Sequence, residues 1–392
     1  DGQDLYFASN KDREFTALTR LNLESKSSDI LYEGDHDVEN VSLCAADNYL
    51  AFTTNHDGFD RLHMIDQRNG KKFTAKALPE GVYSLSCSSA SDTLLVRVNG
   101  FDRPGDLMTV GLNSGKVKTI FRSNYAGLDP SRLVKPESVT MPAQDGVTLQ
   151  GLLDMPRKNQ ETPPVVFLVH GGPTAQARPT YNATVQYLVD QGIAVFATNV
   201  RGSTGFGRSY VTLDDRKKRL DSVRDLIDML AGLKADGRVD TDRAAVMGGS
   251  YGGYVVNAVL AEYPDAFKAG VSLFGVADWV TALEVASPAL KAADLIEYGN
   301  IEEKEWRDFY TKYSPIRQAG KIKVPVLFSH GVMDPRIDIA ETETMVRALR
   351  ANGIDAPYIR IPDEGHGWRK LSNQLFYNRR QAEFLLEQLG TE

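Results

Sequence analysis

Short apolar runs alternate with polar turns through the first 123 residues, and no helical spacing links them. Leu5-Tyr6-Phe7-Ala8, Tyr49-Leu50-Ala51-Phe52 and Leu94-Leu95-Val96 are each preceded by a polar turn containing Asp and followed by Asn, Asp or Gly. Such runs read as short strands joined by tight turns. The pattern recurs: Asn10-Lys11-Asp12 resembles Asn55-His56-Asp57, and Asp47 resembles Asp92, both about 45 residues apart. That period fits a four-stranded propeller blade. The first copy lacks sequence before its Asp1-Gly2 turn, so the chain is expected to begin inside a blade and to hold about two and a half. Propellers close with about four to eight blades, so this region is not a closed ring by itself. A small irregular β-domain is the alternative. Residues 124–136 read as a linker.

From residue 137 onward the rhythm changes. Val165-Val166-Phe167-Leu168-Val169, Ile193-Ala194-Val195-Phe196-Ala197, Ala244-Ala245-Val246-Met247, Val271-Ser272-Leu273-Phe274 and Val324-Pro325-Val326-Leu327-Phe328 are continuous apolar runs. They suit strands buried on both faces of a mostly parallel sheet. Amphipathic segments over 223–233, 254–262, 340–351 and 375–389 supply helices between and after them. In the last, Leu375, Phe376, Ala382, Leu385, Leu386 and Leu389 are expected to share one buried face. Residues 137–141 and 147–155 read as an antiparallel pair around the Asp145-Gly146 turn. Residues 278–321 read as a helical insertion.

Composition changes this picture little. A formal net charge of −7 without a dense basic run argues against a nucleic-acid or anionic-membrane surface. No apolar stretch approaches the roughly 18 residues that span a bilayer. The opening Asp1-Gly2-Gln3-Asp4 carries no initiator Met and no signal pattern, so a processed, cut or deliberately shortened chain is expected. The compartment stays open between the cytoplasm and, if a signal has been removed, the periplasm or the exterior. Cys44 and Cys87 are the only cysteines. They form no disulfide framework and no zinc site, and are expected as free, half-buried thiols; if bonded, they would staple one pair of strands.

Chemistry concentrates in Gly248-Gly249-Ser250-Tyr251-Gly252-Gly253, a G-x-S-x-G sequence between an expected strand and an expected helix. Small flanking residues let strand and helix approach closely, and the hydroxyl of Ser250 would sit at the positive end of a helix dipole. Without chemistry the segment is a plain glycine-rich turn. A serine alcohol needs a base. Of six histidines, His366 in Asp363-Glu364-Gly365-His366-Gly367-Trp368 lies after the last expected strand and before the last helix. Asp334 follows the preceding strand, and the order Ser, Asp, His is that of an α/β-hydrolase. Asp363 is nearer to His366 in sequence but is expected to face solvent or cap the turn. The remaining part is an oxyanion hole. The amide of Tyr251 is one donor, and the Gly171-Gly172 region of His170-Gly171-Gly172-Pro173 is the source of the second.

Two other readings fall away. Gly202-Ser203-Thr204-Gly205-Phe206-Gly207 lacks G-x-G-x-x-G spacing and a following Gly-Lys-Ser/Thr, so a phosphate loop is not expected. His366 with Asp363 and Glu364 has no second histidine at ligand spacing, so neither a metal nor any other cofactor is expected.

Several ordered motifs together resemble the prolyl oligopeptidase family of serine peptidases. They are His170-Gly171-Gly172-Pro173, Asn199-Val200-Arg201-Gly202-Ser203-Thr204-Gly205-Phe206-Gly207 and Gly249-Ser250-Tyr251-Gly252-Gly253-Tyr254, then His330-Gly331 with Asp334, and Gly365-His366-Gly367. Tyr298-Gly299-Asn300 and Tyr313-Ser314-Pro315 resemble its acylaminoacyl-peptidase and bacterial dipeptidyl-peptidase branches. The resemblance is strong over about residues 130–392 and weak before them. It implies a hydrolase domain covered by a propeller that admits only short peptides. It also implies that Arg336, in the Asp-x-Arg pattern, binds a substrate carbonyl or carboxylate, against the plainer reading of a surface ion pair. Tyr254, Phe274, Val276 and Trp279, together with Val332, are candidates to contact substrate, or equally to pack the core. Against the family pattern, only the last few blades are present. A companion propeller fragment or homo-oligomer would complete them, or else the site is open. Glu302-Glu303, in the hydrolase half, reads as a solvated helix face rather than an amino-terminus grip.

The expected architecture is thus α/β, an α/β-hydrolase fold over residues 137–392 preceded by a partial β-propeller-like segment over 1–123. The expected activity is acyl transfer through a covalent Ser250 ester, with Asp334 and His366, on a short peptide or small ester. A carboxylesterase with the same triad and a non-catalytic propeller-based binding protein are the alternatives.

Overall fold

The computed structural model describes residues 2–75, 77–157 and 162–390; Asp1, where the opening turn was expected to begin, lies outside them. Two compact units form. One gathers Asp1–Pro136 with Arg178–Gln186 and Thr204–Val211, and the other gathers Glu137–Ala177, Tyr187–Ser203 and Thr212–Glu392.

The first unit consists of three antiparallel sheets in chain order. The first holds β1 (Asp4–Ser9), β2 (Ala17–Asn22) and β3 (Ser28–Tyr32), one strand short of its successors. The second holds β4 (Val38–Cys44), β5 (Tyr49–His56), β6 (Phe59–Asp66) and β7 (Lys71–Phe73). The third holds β8 (Val82–Cys87), β9 (Thr93–Gly100), β10 (Arg103–Gly111) and β11 (Val117–Phe121). The recurring Asp residues of the turns have a physical cause. Asp12, between β1 and β2, and Asp57, between β5 and β6, both adopt positive φ, at 60° and 52°. Asp and Asn tolerate that conformation better than most side chains. Strand β5 is buried on both faces because its sheet is the middle one. Leu50 and Phe52 pack with Leu18 and Val38, whereas Tyr49 and Ala51 pack with Leu94, Val96 and Val110.

The cysteines correct the expectation of free thiols: Cys44 and Cys87 form a disulfide, with Cα atoms 5.1 Å apart. Each is the last residue of the first strand in its sheet. Their separation of 43 residues is close to the repeat itself, which places equivalent positions of successive sheets side by side. A second tie within this unit is Arg178, which pairs with Glu39 at 2.7 Å and with the buried Asp60 at 2.6 Å.

The second unit is an eight-stranded sheet in the order β12, β13, β15, β14, β16, β17, β18, β19. These strands are β12 (Glu137–Pro142), β13 (Thr148–Asp154), β14 (Pro164–Val169), β15 (Ala194–Asn199), β16 (Asp240–Gly249), β17 (Ala269–Leu273), β18 (Val326–Gly331) and β19 (Tyr358–Ile361). The β12–β13 and β13–β15 pairings are antiparallel and the others parallel. Strand β14 pairs with β15 on one side and β16 on the other. Chain order therefore reverses at β14, and a crevice at the carboxyl ends of β14 and β16 is where sheets of this kind take ligands. This is the α/β-hydrolase arrangement expected from the alternating pattern.

The helices are α1 (Ala183–Asp190), α2 (Arg208–Val211), α3 (Arg219–Asp236), α4 (Tyr251–Glu262), α5 (Trp279–Val285), α6 (Pro288–Glu297), α7 (Lys304–Tyr313), α8 (Pro315–Gln318), α9 (Ile339–Ala351) and α10 (Leu371–Leu389). Helices α5 to α8 form the insertion. Its starts are written in the sequence: Asp278 accepts from the Val280 amide at 3.0 Å, and Ser287 precedes Pro288 at the first position of α6. In α10 the expected apolar face holds only in part. Ala382, Leu385 and Leu389 are buried, but Leu375 and Phe376 are exposed. The helix meets the sheet through its second half, where Gln381 reaches the Met247 sulfur on β16 at 3.0 Å.

Candidate active site

Five loops leave the carboxyl ends of the neighbouring strands β14, β16, β17, β18 and β19. Ser250 lies between β16 and α4 with φ 59° and ψ −121°. A side chain other than glycine held there costs roughly 1–3 kcal/mol, and such strain persists only where the surroundings enforce it. The enforcement comes from glycines. A Cβ on Gly252 would lie 2.3 Å from the Val169 carbonyl oxygen, one on Gly248 2.6 Å from the Gly252 carbonyl carbon, and one on Gly253 2.7 Å from the Gly275 Cα. Larger residues at these positions would separate helix from strand. The Ser250 amide donates to the Leu273 carbonyl at 2.9 Å, fixing the turn against β17.

Next comes Phe274, also at positive φ, whose amide donates to the Ser329 carbonyl at 2.8 Å. Its ring is 4.5 Å from that of His366 and 5.8 Å from that of Trp368. A Cβ on Gly249 would approach that ring to 3.0 Å, so Phe274 packs against both the serine turn and the histidine ring.

The structure brings His366 and Asp334 together. Nδ1 of His366 lies 2.7 Å from Oδ2 of Asp334. An ionised carboxylate only accepts, so Nδ1–H donates, and in the neutral imidazole Nε2 is the nitrogen with the free lone pair. Asp334 is fixed from several sides. Its Oδ1 accepts the amides of Arg336 at 2.8 Å and Ile337 at 3.1 Å. Burial pushes its carboxyl up, but hydrogen bonds from His330, His366 and the Arg336 amide outweigh burial and hold it well below the usual carboxylate range. Asp363 instead pairs with Lys370 and Asn373 at the surface.

Two residues that sequence reasoning set aside or left unassigned support this pair. His330 is fully buried: Nε2 donates to the Ile337 carbonyl at 3.1 Å and lies 3.4 Å from Asp334 Oδ2, while Nδ1 accepts from the Thr342 hydroxyl at 2.8 Å. Its signal was the spacing of four residues from Asp334 at the end of a strand. Glu364 is buried and accepts the amides of Arg369 and Lys370 and the Asn373 side chain, which closes the loop carrying His366.

The glycine pair lies beside the serine. A Cβ on Gly171 would be 3.4 Å from the Ser250 Cβ. Gly172, at φ 133°, has no room for a side chain, since a Cβ would meet the Thr174 nitrogen at 2.8 Å. His170 holds this loop by Nδ1 to the Gly171 carbonyl at 2.8 Å and by Nε2 to the Ser203 hydroxyl at 2.9 Å. The segment around Gly202 therefore acts as a scaffold. Asn199 accepts the Ala177 amide at 2.7 Å, and the buried Arg201 pairs with Asp225 at 2.7 Å and Asp145 at 2.8 Å.

The candidate substrate contacts separate into two groups. Tyr254, Val276 and Trp279 are 1%, 4% and 5% exposed and belong to the apolar core, with Tyr254 and Trp279 rings 4.9 Å apart. Phe274 and Val332 are half-buried and Arg336 is exposed. Among the described residues, Arg336 has no carboxylate within ion-pair distance. Glu302 and Glu303 lie at the exposed start of α7.

The sequence model of the Prolyl oligopeptidase family matches residues 179–392, more than half of the chain. The chain belongs to the prolyl oligopeptidase family. Dipeptidyl aminopeptidase BIII of Pseudoxanthomonas mexicana is 30% identical over 406 residues, covering 100% of this chain and 58% of its own length. Dipeptidyl peptidase family member 6 of Caenorhabditis elegans is 28% identical over 341 residues, covering 80% of this chain and 46% of its own. A puromycin-hydrolyzing peptidase of Mycobacterium tuberculosis matches in structure with a TM-score of 0.90 at 25% identity, over 100% of this chain and 61% of that one. The chain thus spans about half the length of these relatives, from 46% to 61%. No helix among the described residues is long and apolar enough to cross a membrane.

Proposed function

We propose that this chain is a serine peptidase that cleaves short peptides or acyl-peptides by acyl transfer through Ser250. The observation that carries the reading is the 2.7 Å contact between His366 Nδ1 and Asp334 Oδ2, which reserves Nε2 for proton transfer. In the proposed first step Ser250 Oγ attacks the scissile carbonyl carbon and its proton passes to His366 Nε2. Asp334 holds the tautomer and stabilises the imidazolium. The amides of Tyr251 and Gly172, with Gly171 leaving space for approach, hold the oxyanion. The C–N bond then breaks as Nε2 returns the proton to the leaving amine. Water, deprotonated by the same nitrogen, releases the acyl group and restores Ser250. Arg336 binds a substrate carbonyl or carboxylate, and Phe274 and Val332 contact the acyl side. The peptidase names of the relatives support the peptide as substrate class. The Cys44–Cys87 disulfide supports an oxidising compartment.

A fluorophosphonate probe tests the reading on the full chain. A single adduct on Ser250, lost in His366→Ala, is the expected result; an unlabelled folded protein at neutral pH contradicts an activated serine.

A further inference from the structure

Directly behind the serine turn lies a cation withdrawn from water. Arg219 opens α3 and is 1% exposed. Its guanidinium donates to Asp214 and to Glu297 through different nitrogens, and to the Tyr251 hydroxyl at 3.2 Å. It also lies 5.2 Å from the centre of the Tyr251 ring and 4.8 Å from that of Tyr298. The Tyr251 hydroxyl is shared further with Ser222 Oγ at 2.7 Å and Asp214 Oδ2 at 3.3 Å. Asp214 is pressed so closely on Gly202 that a Cβ there would lie 2.2 Å from Oδ1. One guanidinium therefore ties together the turn before α3, the first residue of α4, and the end of α6.

The acidic groups of Asp214, Asp215 and Glu297 have the spacing of a cation site. Arg219 already bonds one carboxylate oxygen of Asp214 and one of Glu297, so the cluster has its cation. Stability alone is a weak reason for such a group, because buried ion clusters are often replaceable by apolar side chains without loss. Its place gives a stronger one. Tyr251 follows Ser250, and burial pushes its phenol up despite Arg219, so the hydroxyl stays neutral and keeps a proton to donate. An oxyanion donor works only when its N–H is held where the charge will develop.

We propose that the Arg219 cluster is a positioning device for the oxyanion-binding amide of Tyr251, anchoring its side chain from behind and coupling that amide to α6 through Glu297 and Tyr298. This rests on Ser250 being the nucleophile. The side chains of Arg219, Glu297 and Tyr251 are positioning groups; only the Tyr251 amide meets substrate.

Tyr251→Phe and Glu297→Gln test it on the full chain, with Ser250→Ala beside them. Both keep the volume of the side chain and the backbone amide. The readouts are kcat and KM on a peptide amide, the rate of fluorophosphonate labelling, and the melting temperature. The expected result is a kcat reduced about tenfold in both, since a donor is displaced and not deleted, with KM within about twofold and slower labelling. Arg219→Lys keeps the charge but not the planar fork that serves two carboxylates, and it should lower kcat as the other two do. Unchanged kcat and labelling in Tyr251→Phe and Glu297→Gln, with only a lowered melting temperature, would overturn the positioning role. Turnover by Ser250→Ala equal to wild type would overturn the nucleophile assignment instead, and the two failures are read from different variants.

Discussion

The backbone N–H of Met333 donates to the carbonyl of Glu364 at 2.9 Å, which stitches the loop carrying Asp334 to the loop carrying His366. The two strands beneath are in register there, Gly331 opposite Ile361. Gly331 permits the approach: a Cβ would lie 2.3 Å from the Gly365 carbonyl oxygen and 2.5 Å from that of Glu364. Gly331→Ala should force the loops apart. Misplacement of a catalytic group by about 1 Å can cost about a hundredfold in rate, so kcat/KM should fall by about that factor while the protein stays folded. Unchanged kcat/KM would show that the stitch does not position the histidine.

Asp334→Asn should lower kcat by about 10⁴, as loss of the orienting carboxylate leaves the imidazole in the wrong tautomer. It also predicts a pH dependence of stability. The folded carboxyl is depressed, so its stabilisation is complete above the ordinary carboxylate value of about 4 and is lost as pH falls toward the depressed value. Melting curves of wild type and Asp334→Asn should therefore converge below about pH 4. A gap that stays constant down to acid pH would contradict the hydrogen-bonded carboxylate.

His56 predicts a second acid effect in the first unit. Burial first, then repulsion by His36, stacked at 3.7 Å, by Arg61 and by His63, push its imidazole down to about 4. The unfolded chain takes up this proton near the ordinary value of about 6.5, so the stabilisation is full above that pH. It is lost as pH falls toward about 4. In His56→Gln the melting temperature should decline less steeply over that interval. An identical slope would remove His56 as the cause.

The disulfide predicts a stability difference. A loop of 43 residues closed by Cys44 and Cys87 implies about 4 kcal/mol in the chain-entropy account. Cys44→Ser/Cys87→Ser should lose stability on that scale in denaturant titration. Intact-mass analysis should find the two thiols of wild type blocked to alkylation until a reductant is added. Two freely alkylated thiols in the oxidised, folded protein would contradict the bond.

The alternation of apolar runs was enough to reveal the parallel sheet, and three short motifs pointed to Ser250, Asp334 and His366, of which the structure brings Asp334 and His366 into contact. Those motifs are local: each is a strand end followed by residues that only a sharp turn requires. What stayed illegible depends on contacts distant in sequence. Cys44 and Cys87 meet because the blade period matches their spacing, a relationship invisible until the sheets stack. Tyr254 and Trp279 looked equally suited to a pocket or a core, and only their packing against each other and the insertion decides for the core. The Arg219 cluster assembles residues from 214 to 297, and nothing in the isolated charges at those positions marks them as neighbours.

The most direct test of the account compares kcat/KM for an amide and an ester bearing the same acyl group, on wild type and on Ser250→Ala. Cleavage of both by wild type, with Ser250→Ala below about 1% of that rate, is the predicted result. Cleavage of the ester alone would contradict the peptidase assignment and leave a carboxylesterase with the same triad. Amide turnover by Ser250→Ala at the wild-type rate would contradict the covalent mechanism itself.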